Sequence, residues 1–289
     1  MTRHRGALLL LAPYLIGGAL LVVLPAALTF ALSLTEYDLL TSPRFTGLEN
    51  FGELIDDRIL RTALLNSLLF LALAVPLRLV AAVGMALLLH RRARGRAAQR
   101  TAVYLPTVVP DVAFALLFLF LLNPVYGPVN ALLGGLGLPQ PEWLSTPAGA
   151  MASVVIIAAF TVGEGFVVAL ATRQELPEEL YDLARLEGSR TGHTLRRVTL
   201  PLMRPTLALL AFRDTAFALQ VSFVPALIVT GTGPDRATLF LPQFIYDAAF
   251  EELRYGYAAA VTLTLFALTA LIVAAQARVL RAGRFGLGR

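Results

Sequence analysis

The sequence predicts an all-α, polytopic membrane protein with six transmembrane helices and a cytosolic helix–glycine–helix coupling loop between spans four and five. Three observations carry that prediction. The 289 residues are 57% hydrophobic and only 15% charged, where a soluble domain carries about 25% charged residues. Apolar runs of about 20 residues, the length that crosses a hydrocarbon core, recur at roughly 7–34, 63–89, 102–123, 148–172, 206–230 and 256–279. The remaining charges are sorted between alternate links, as they are when arginine is retained on the cytosolic side.

Composition removes several function classes. There is no cysteine, so thiol catalysis and thiolate metal sites are excluded. The 3 histidines, His4, His90 and His193, lie far apart in the chain and do not suggest a metal centre. All 24 basic residues are arginine. Without lysine there is no phosphate-binding loop of the G-x-x-x-x-G-K-[ST] type. The chain is therefore expected to bind no cofactor of its own.

The elements follow in order. Arg3 and Arg5 precede the first span, whose apolar stretch is longer than the 7–15 residues of a signal-peptide core. It reads as a retained helix, and neighbouring helices can satisfy the backbone groups freed by Pro13 and Pro25. The next link is acidic, with Glu36, Asp38, Glu49, Glu53, Asp56 and Asp57. Between spans two and three stand Arg91, Arg92, Arg94, Arg96 and Arg100 with no acid. Asp235, Asp247, Glu251 and Glu252 follow span five, and Arg278, Arg281, Arg284 and Arg289 end the chain. The basic side is read as cytosolic, with both termini inside. Trp143 reads as an interfacial anchor on the outer side. The expected organisation is 1–62 for the N-terminal tail, first helix and outer loop, 63–280 for the transmembrane domain and 281–289 for a cytosolic tail.

One link breaks the pattern. Residues 173–205 carry mixed charge, six arginines against five acids. Leu176-Pro177-Glu178-Glu179 is a helix start, with proline suited to the first turn and carboxylates at the positive end of the dipole. Leu180, Leu183, Ala184 and Glu187 recur at helical spacing, and Gly188 follows where a glycine can end a helix in the left-handed conformation. Ser189 is placed to cap a second short helix, which Leu200-Pro201 is expected to end. From composition alone, a hairpin lying on the lipid surface and a hairpin docking a partner fit equally well.

The residues LPEELYDLARLEGSRTGHTLRRVTLPLMRP resemble the signature loop of the membrane subunits of binding-protein-dependent ABC importers. That pattern runs Glu-Ala-Ala, three residues, Gly, nine residues, then Ile-x-Leu-Pro. Here Asp182-Leu183-Ala184, Gly188 and Val198-Thr199-Leu200-Pro201 stand at those positions, with Asp182 and Leu183 departing from it. GLENFGELIDD, GPVNALLGGLGLPQPEWL and TGTGPDRATLFLPQFIYDAAF are similar to the carbohydrate-type branch of these permeases. The resemblance implies a permease for a sugar-like solute. Its implied partners are a second related permease, two cytosolic ATPase subunits that use ATP and Mg, and an extracytoplasmic solute-binding protein. It also implies that Glu179, Asp182, Ala184, Glu187, Gly188, Ser189 and Arg190 dock one ATPase. A secondary transporter working without an ATPase is the alternative, but it would need paired repeats with broken helices, and no convincing internal repeat is present.

Charged and polar groups inside the spans are costly unless they are partnered or face water. Glu164, Gln220 and Phe223 are candidates for the solute path, and interhelical hydrogen bonding is the plainer alternative for the polar pair. Arg213-Asp214 lies near the cytosolic start of span five and reads as a locally paired or snorkelling group. Arg78 is 12 residues before His90, and Asp111 is 10 after Thr101. Both therefore sit about 15–18 Å from the turn between spans two and three. Opposite charges at one depth on adjacent helices predict an intramembrane ion pair, Arg78 with Asp111. Charged groups more than about 6 Å apart would overturn it.

Overall fold

Backbone polar groups in hydrocarbon have no water to bond, so long apolar runs close their hydrogen bonds internally as helices. The computed structural model describes residues 2–284 apart from Arg92, so residues 285–289 of the expected cytosolic tail lie outside the described part. Helices α1 (Thr2–Gly18) and α2 (Leu24–Ser33) join through a π-helical turn at Ala19–Val23. Strands β1 (Thr35–Glu36) and β2 (Arg44–Phe45) pair antiparallel, a small departure from the all-α expectation. Then come α3 (Glu49–Asp56), α4 (Arg58–Leu89), α5 (Arg96–Tyr104), α6 (Asp111–Leu121), α7 (Pro128–Gly135), α8 (Pro147–Phe160) and α9 (Gly163–Glu175). The link between spans four and five holds α10 (Glu178–Leu186) and α11 (Thr191–Thr194). It is followed by α12 (Leu200–Pro225), α13 (Leu241–Tyr246) and α14 (Tyr255–Arg284).

Among the described residues, 3 helical stretches are long and apolar enough to cross a membrane: Leu10–Ser33, Arg58–Leu89 and Tyr255–Val279. The number rises to 6 if each of three bent helix pairs is one span. The fold is thus mostly helical, with three to six candidate spans, and the apolar runs read as spans three, four and five are not straight. Span three bends by 102°, span four by 46° and span five by 44°. Proline explains the sharpest bend. Val109, forced towards extended backbone by the following Pro110, has φ −71° and ψ 132°.

The chain forms two compact units, Met1–Arg61 with Phe244–Leu268, and Thr62–Gln243 with Thr269–Arg289. In the first, the Asn50 side chain closes the end of α2, donating to Ser33 O and Thr35 O at 2.9 Å each. Asp57 opens α4 by accepting from the N–H groups of Ile59 (2.7 Å) and Leu60 (3.0 Å). The Tyr257 hydroxyl donates to its other oxygen at 2.6 Å. In the second unit, Ala82, Val83 and Ala86 of α4 pack with Phe166, Ala169 and Leu170 of α9 and Met203 and Leu210 of α12. Phe114, Ala115 and Phe118 of α6 pack with Ile157 of α8 and Val229. Trp143 sits beside this second cluster and donates to Asn130 Oδ1 at 2.8 Å. After span five, the carbonyls of Arg236 and Leu239 accept from Asn66, and Leu241 N–H donates to Ser67 Oγ, which ties this link to α4.

Burial pushes the Asp57 carboxyl up, but the Tyr257 hydroxyl, the two N–H groups and Arg254 together hold it below its ordinary value. Its contribution is therefore present above the ordinary carboxylate range and is lost as pH falls through the lowered value. Replacing Asp57 with Ala removes a helix cap and the acceptor for Tyr257. It is expected to cost about 1–2 kcal/mol, read as a lower unfolding temperature at pH 7, with the difference from wild type shrinking in acid. An unchanged unfolding temperature at pH 7 would contradict this.

Candidate functional site

The break in span four organises the buried charges. At the end of α8 the helix stops at Thr161, with φ −92° and ψ 44°, and restarts as α9 at Gly163. A broken helix leaves carbonyls without intrahelical donors, and its negative dipole end favours a cation. Arg78 of α4 supplies both needs. Its guanidinium donates to Ala158 O, to Thr161 Oγ1 at 2.9 Å and to Thr161 O at 3.1 Å. Its Nε lies 3.5 Å from Asp214 Oδ2 on α12. Arg78 and Asp214 are both buried.

Asp214 is shared. Arg213 Nη1 lies 3.6 Å from its second oxygen, and the other end of Arg213 forms an ion pair with Glu164. Glu164 is in the first turn of α9, where the dipole favours a carboxylate. Four charges from three helices thus form one chain around the break. Gly163 lets the elements approach. Its N–H donates to Thr107 Oγ1 at 3.0 Å, and a Cβ there would come within 2.9 Å of Tyr104 Cα.

The expected Arg78–Asp111 pair is corrected. Arg78 is taken by Asp214 and the end of α8, while Asp111 stands exposed in the first turn of α6. Among the described residues Asp111 has no ion pair. The 102° bend is the reason, because equal distances along a bent span and a straight one are not equal depths. Sequence spacing points to local pairing or snorkelling of Arg213-Asp214 and does not display the link from Asp214 to Arg78. The signal available was a lone buried-depth arginine on α4 and an acid on α12.

Of the proposed solute-path residues, Glu164 meets Arg213 and keeps a side chain 54% exposed. Arg213 lies 5.8 Å over the Phe217 ring, and Phe217 and Gln220 are exposed. Positions 213, 217 and 220 share one helix face, so an exposed polar and aromatic stripe runs along α12. Phe223 lies off that stripe and is half-buried.

In the link between spans four and five, α10 ends at Gly188 with φ +72°. Gly188 N–H reaches Arg185 O and Ser189 N–H reaches Ala184 O, a left-handed closure that glycine adopts without strain. Asp182 accepts from Arg185 at 2.7 Å on an exposed face. Glu179, Glu187 and Arg190 are exposed and Ala184 is half-buried. Leu183 and Leu186 are 58% and 84% exposed, whereas Tyr181 turns inward and bonds Thr199. Two details differ from expectation. Arg190, with no side-chain cap, precedes α11, and Ser189 Oγ instead meets Thr194 Oγ1. Leu200-Pro201 does not end the helix, because a π-helical turn at Leu195–Thr199 leads straight into α12, where Pro201 occupies the first turn.

Residues 58–283 match the family of binding-protein-dependent transport system inner membrane components. The chain belongs to that family. The permease is 30% identical to the sulfoquinovosyl glycerol transport system permease protein SmoG of Agrobacterium fabrum, over 95% of this chain and 90% of that protein. It is 28% identical to the trehalose/maltose transport system permease protein MalF of Thermococcus litoralis, over 96% of this chain and 93% of that protein. Its fold is that of a chain in a bacterial ABC transporter involved in import of the acidic polysaccharide alginate, with TM-score 0.84 and 22% identity over 97% and 96% of the two chains. It is a multi-pass inner membrane permease of a binding-protein-dependent ABC importer, and the ATPase is a separate subunit.

Removing one partner of a buried ion pair strands the other. Arg78→Ala is expected to cost about 3–5 kcal/mol, seen as loss of folded permease in detergent. The double variant Arg78→Ala/Asp214→Ala is expected to recover part of that loss. A single variant as stable as wild type would contradict the geometry.

Proposed function

We propose that the permease forms half of the translocation path of an ATP-driven importer for a sugar or sugar-like solute. In this reading six spans place both termini in the cytosol, with 1–62, 63–280 and 281–289 as tail-and-first-span, transmembrane domain and tail. A second related permease supplies the other half, two cytosolic ATPase subunits use ATP and Mg, and an external binding protein delivers the solute. The observation that carries it is α10, a short helix with Leu183 and Leu186 outward and Asp182 beside them. Such an apolar patch with a charged rim suits burial against a partner protein. Glu179, Asp182, Ala184, Glu187, Gly188, Ser189 and Arg190 would form that contact, so closure of the ATPase pair moves α10 and, through the helical run Thr191–Ala218, Arg213 and Phe217 on α12. Glu164, Gln220 and Phe223 would line the path with Arg213; for Glu164 and Gln220 the support is that exposed polar groups on membrane helices are tolerated against water or protein. The sugar class is supported by relatives named for trehalose/maltose and sulfoquinovosyl glycerol.

The test is uptake of labelled solute by the assembled complex in vesicles, with the binding protein outside and ATP inside. Asp182→Arg is expected to insert normally but lower ATP-driven uptake at least tenfold, with less ATPase co-purifying. Full uptake with wild-type ATPase yield would remove the docking role.

A further inference from the structure

Arg173, near the end of α9, is only 8% exposed. Among the described residues its guanidinium has no carboxylate within ion-pair distance and no hydrogen-bond acceptor. What holds it is the Tyr181 ring, 4.1 Å from its charge centre to the ring centroid. Arginine does not shed its proton in proteins, so a buried one without an anion is an unmet demand. Arg100 donates to Leu89 O and His90 O, and Gln174 donates to His90 O.

Arg173 opens into a cavity of about 850 Å³ that Arg91, Arg185, Glu178 and His90 also line. Arg185 is tied to Asp182. Glu178 offsets one of the two remaining arginines, so the cavity keeps one positive charge in excess. Burial, with the Arg173 and Arg91 charges, holds His90 below its ordinary range although Leu87 O and Glu178 pull the other way. The cavity lies where the apolar runs of α4 and α9 both end. Basic pockets between membrane helices on the cytosolic side suit anionic headgroups, and a guanidinium held flat by an aromatic ring presents its donor fork to phosphate oxygens.

We propose that this cavity binds a phosphate group, carried by an acidic phospholipid of the inner leaflet or by a soluble phosphate ester, between Arg173 and Arg91. Its single excess charge matches a phosphodiester. The cytosolic placement rests on the orientation proposed above, while the binding chemistry does not.

The test uses the full chain assembled with its partner subunits, as wild type, Arg91→Gln (an exposed position) and Arg173→Gln. Native mass spectrometry after exchange into phosphatidylglycerol-containing detergent reads retained lipid, and titration with glycerol 1-phosphate reads the soluble source. Retention of phosphatidylglycerol by wild type, reduced at least tenfold in Arg91→Gln and lost in Arg173→Gln, supports a lipid site. Glycerol phosphate binding that is lost in both variants, without selective lipid retention, supports the same phosphate site with a soluble source. Equal lipid retention in all three proteins, with glycerol phosphate binding absent or unchanged by the substitutions, overturns the proposal. Labelling of Ala93→Cys from outside intact cells would overturn the orientation alone and move the site to the other face, leaving the binding result intact.

Discussion

The interrupted helix between Phe160 and Gly163 sets the terms for the second unit. A break in a membrane span exposes carbonyls on one side and N–H groups on the other, and neither can turn to water in hydrocarbon. Arg78 meets the carbonyl side, and Thr107 meets Gly163 N–H. A cation brought in for that purpose then needs an anion, and Asp214 supplies it. Asp214 draws Arg213, and Arg213 draws Glu164. One local departure from helix geometry thus recruits α4, α9 and α12 into a single charge chain, with the small residues Ala82, Ala86 and Ala169 permitting their close packing. A buried pair of this kind is weak evidence of net stability.

The second constraint is mechanical. Gly188 ends α10 in a left-handed conformation, and the chain then runs helical from Thr191 through a π-helical turn into α12. The helical run Thr191–Ala218 therefore joins the Gly188 turn to Arg213 and Phe217 of the stripe, before the 44° bend that precedes Ser222. A rod transmits displacement where a loop would absorb it. The inward side of the same region is held by Tyr181, which bonds Thr199 and stacks on Arg173.

Much of this was legible in the residues. The apolar runs, the arginine bias and the spacing from Asp182 through Gly188 to Pro201 depend on composition and chain distance, which a sequence displays directly. The start of α10 at Pro177 and its end at Gly188 follow from local backbone chemistry, so they too could be read locally. Less legible was the helix that continues through Leu200-Pro201, since it turns on a π-helical turn at Leu195–Thr199 that leads into α12.

By itself, then, the sequence determined that this is a polytopic helical protein, which links are basic, and where the helix α10 begins and ends. These properties sum over residues or depend on near neighbours. Only the tertiary structure decided which charges meet. Arg78 pairs with Asp214, 136 positions away, because the chain turns sharply at Val109-Pro110 and carries Asp111 out of register. An ion pair is set by distance in space, and a single bend of 102° is enough to separate that from distance along the chain.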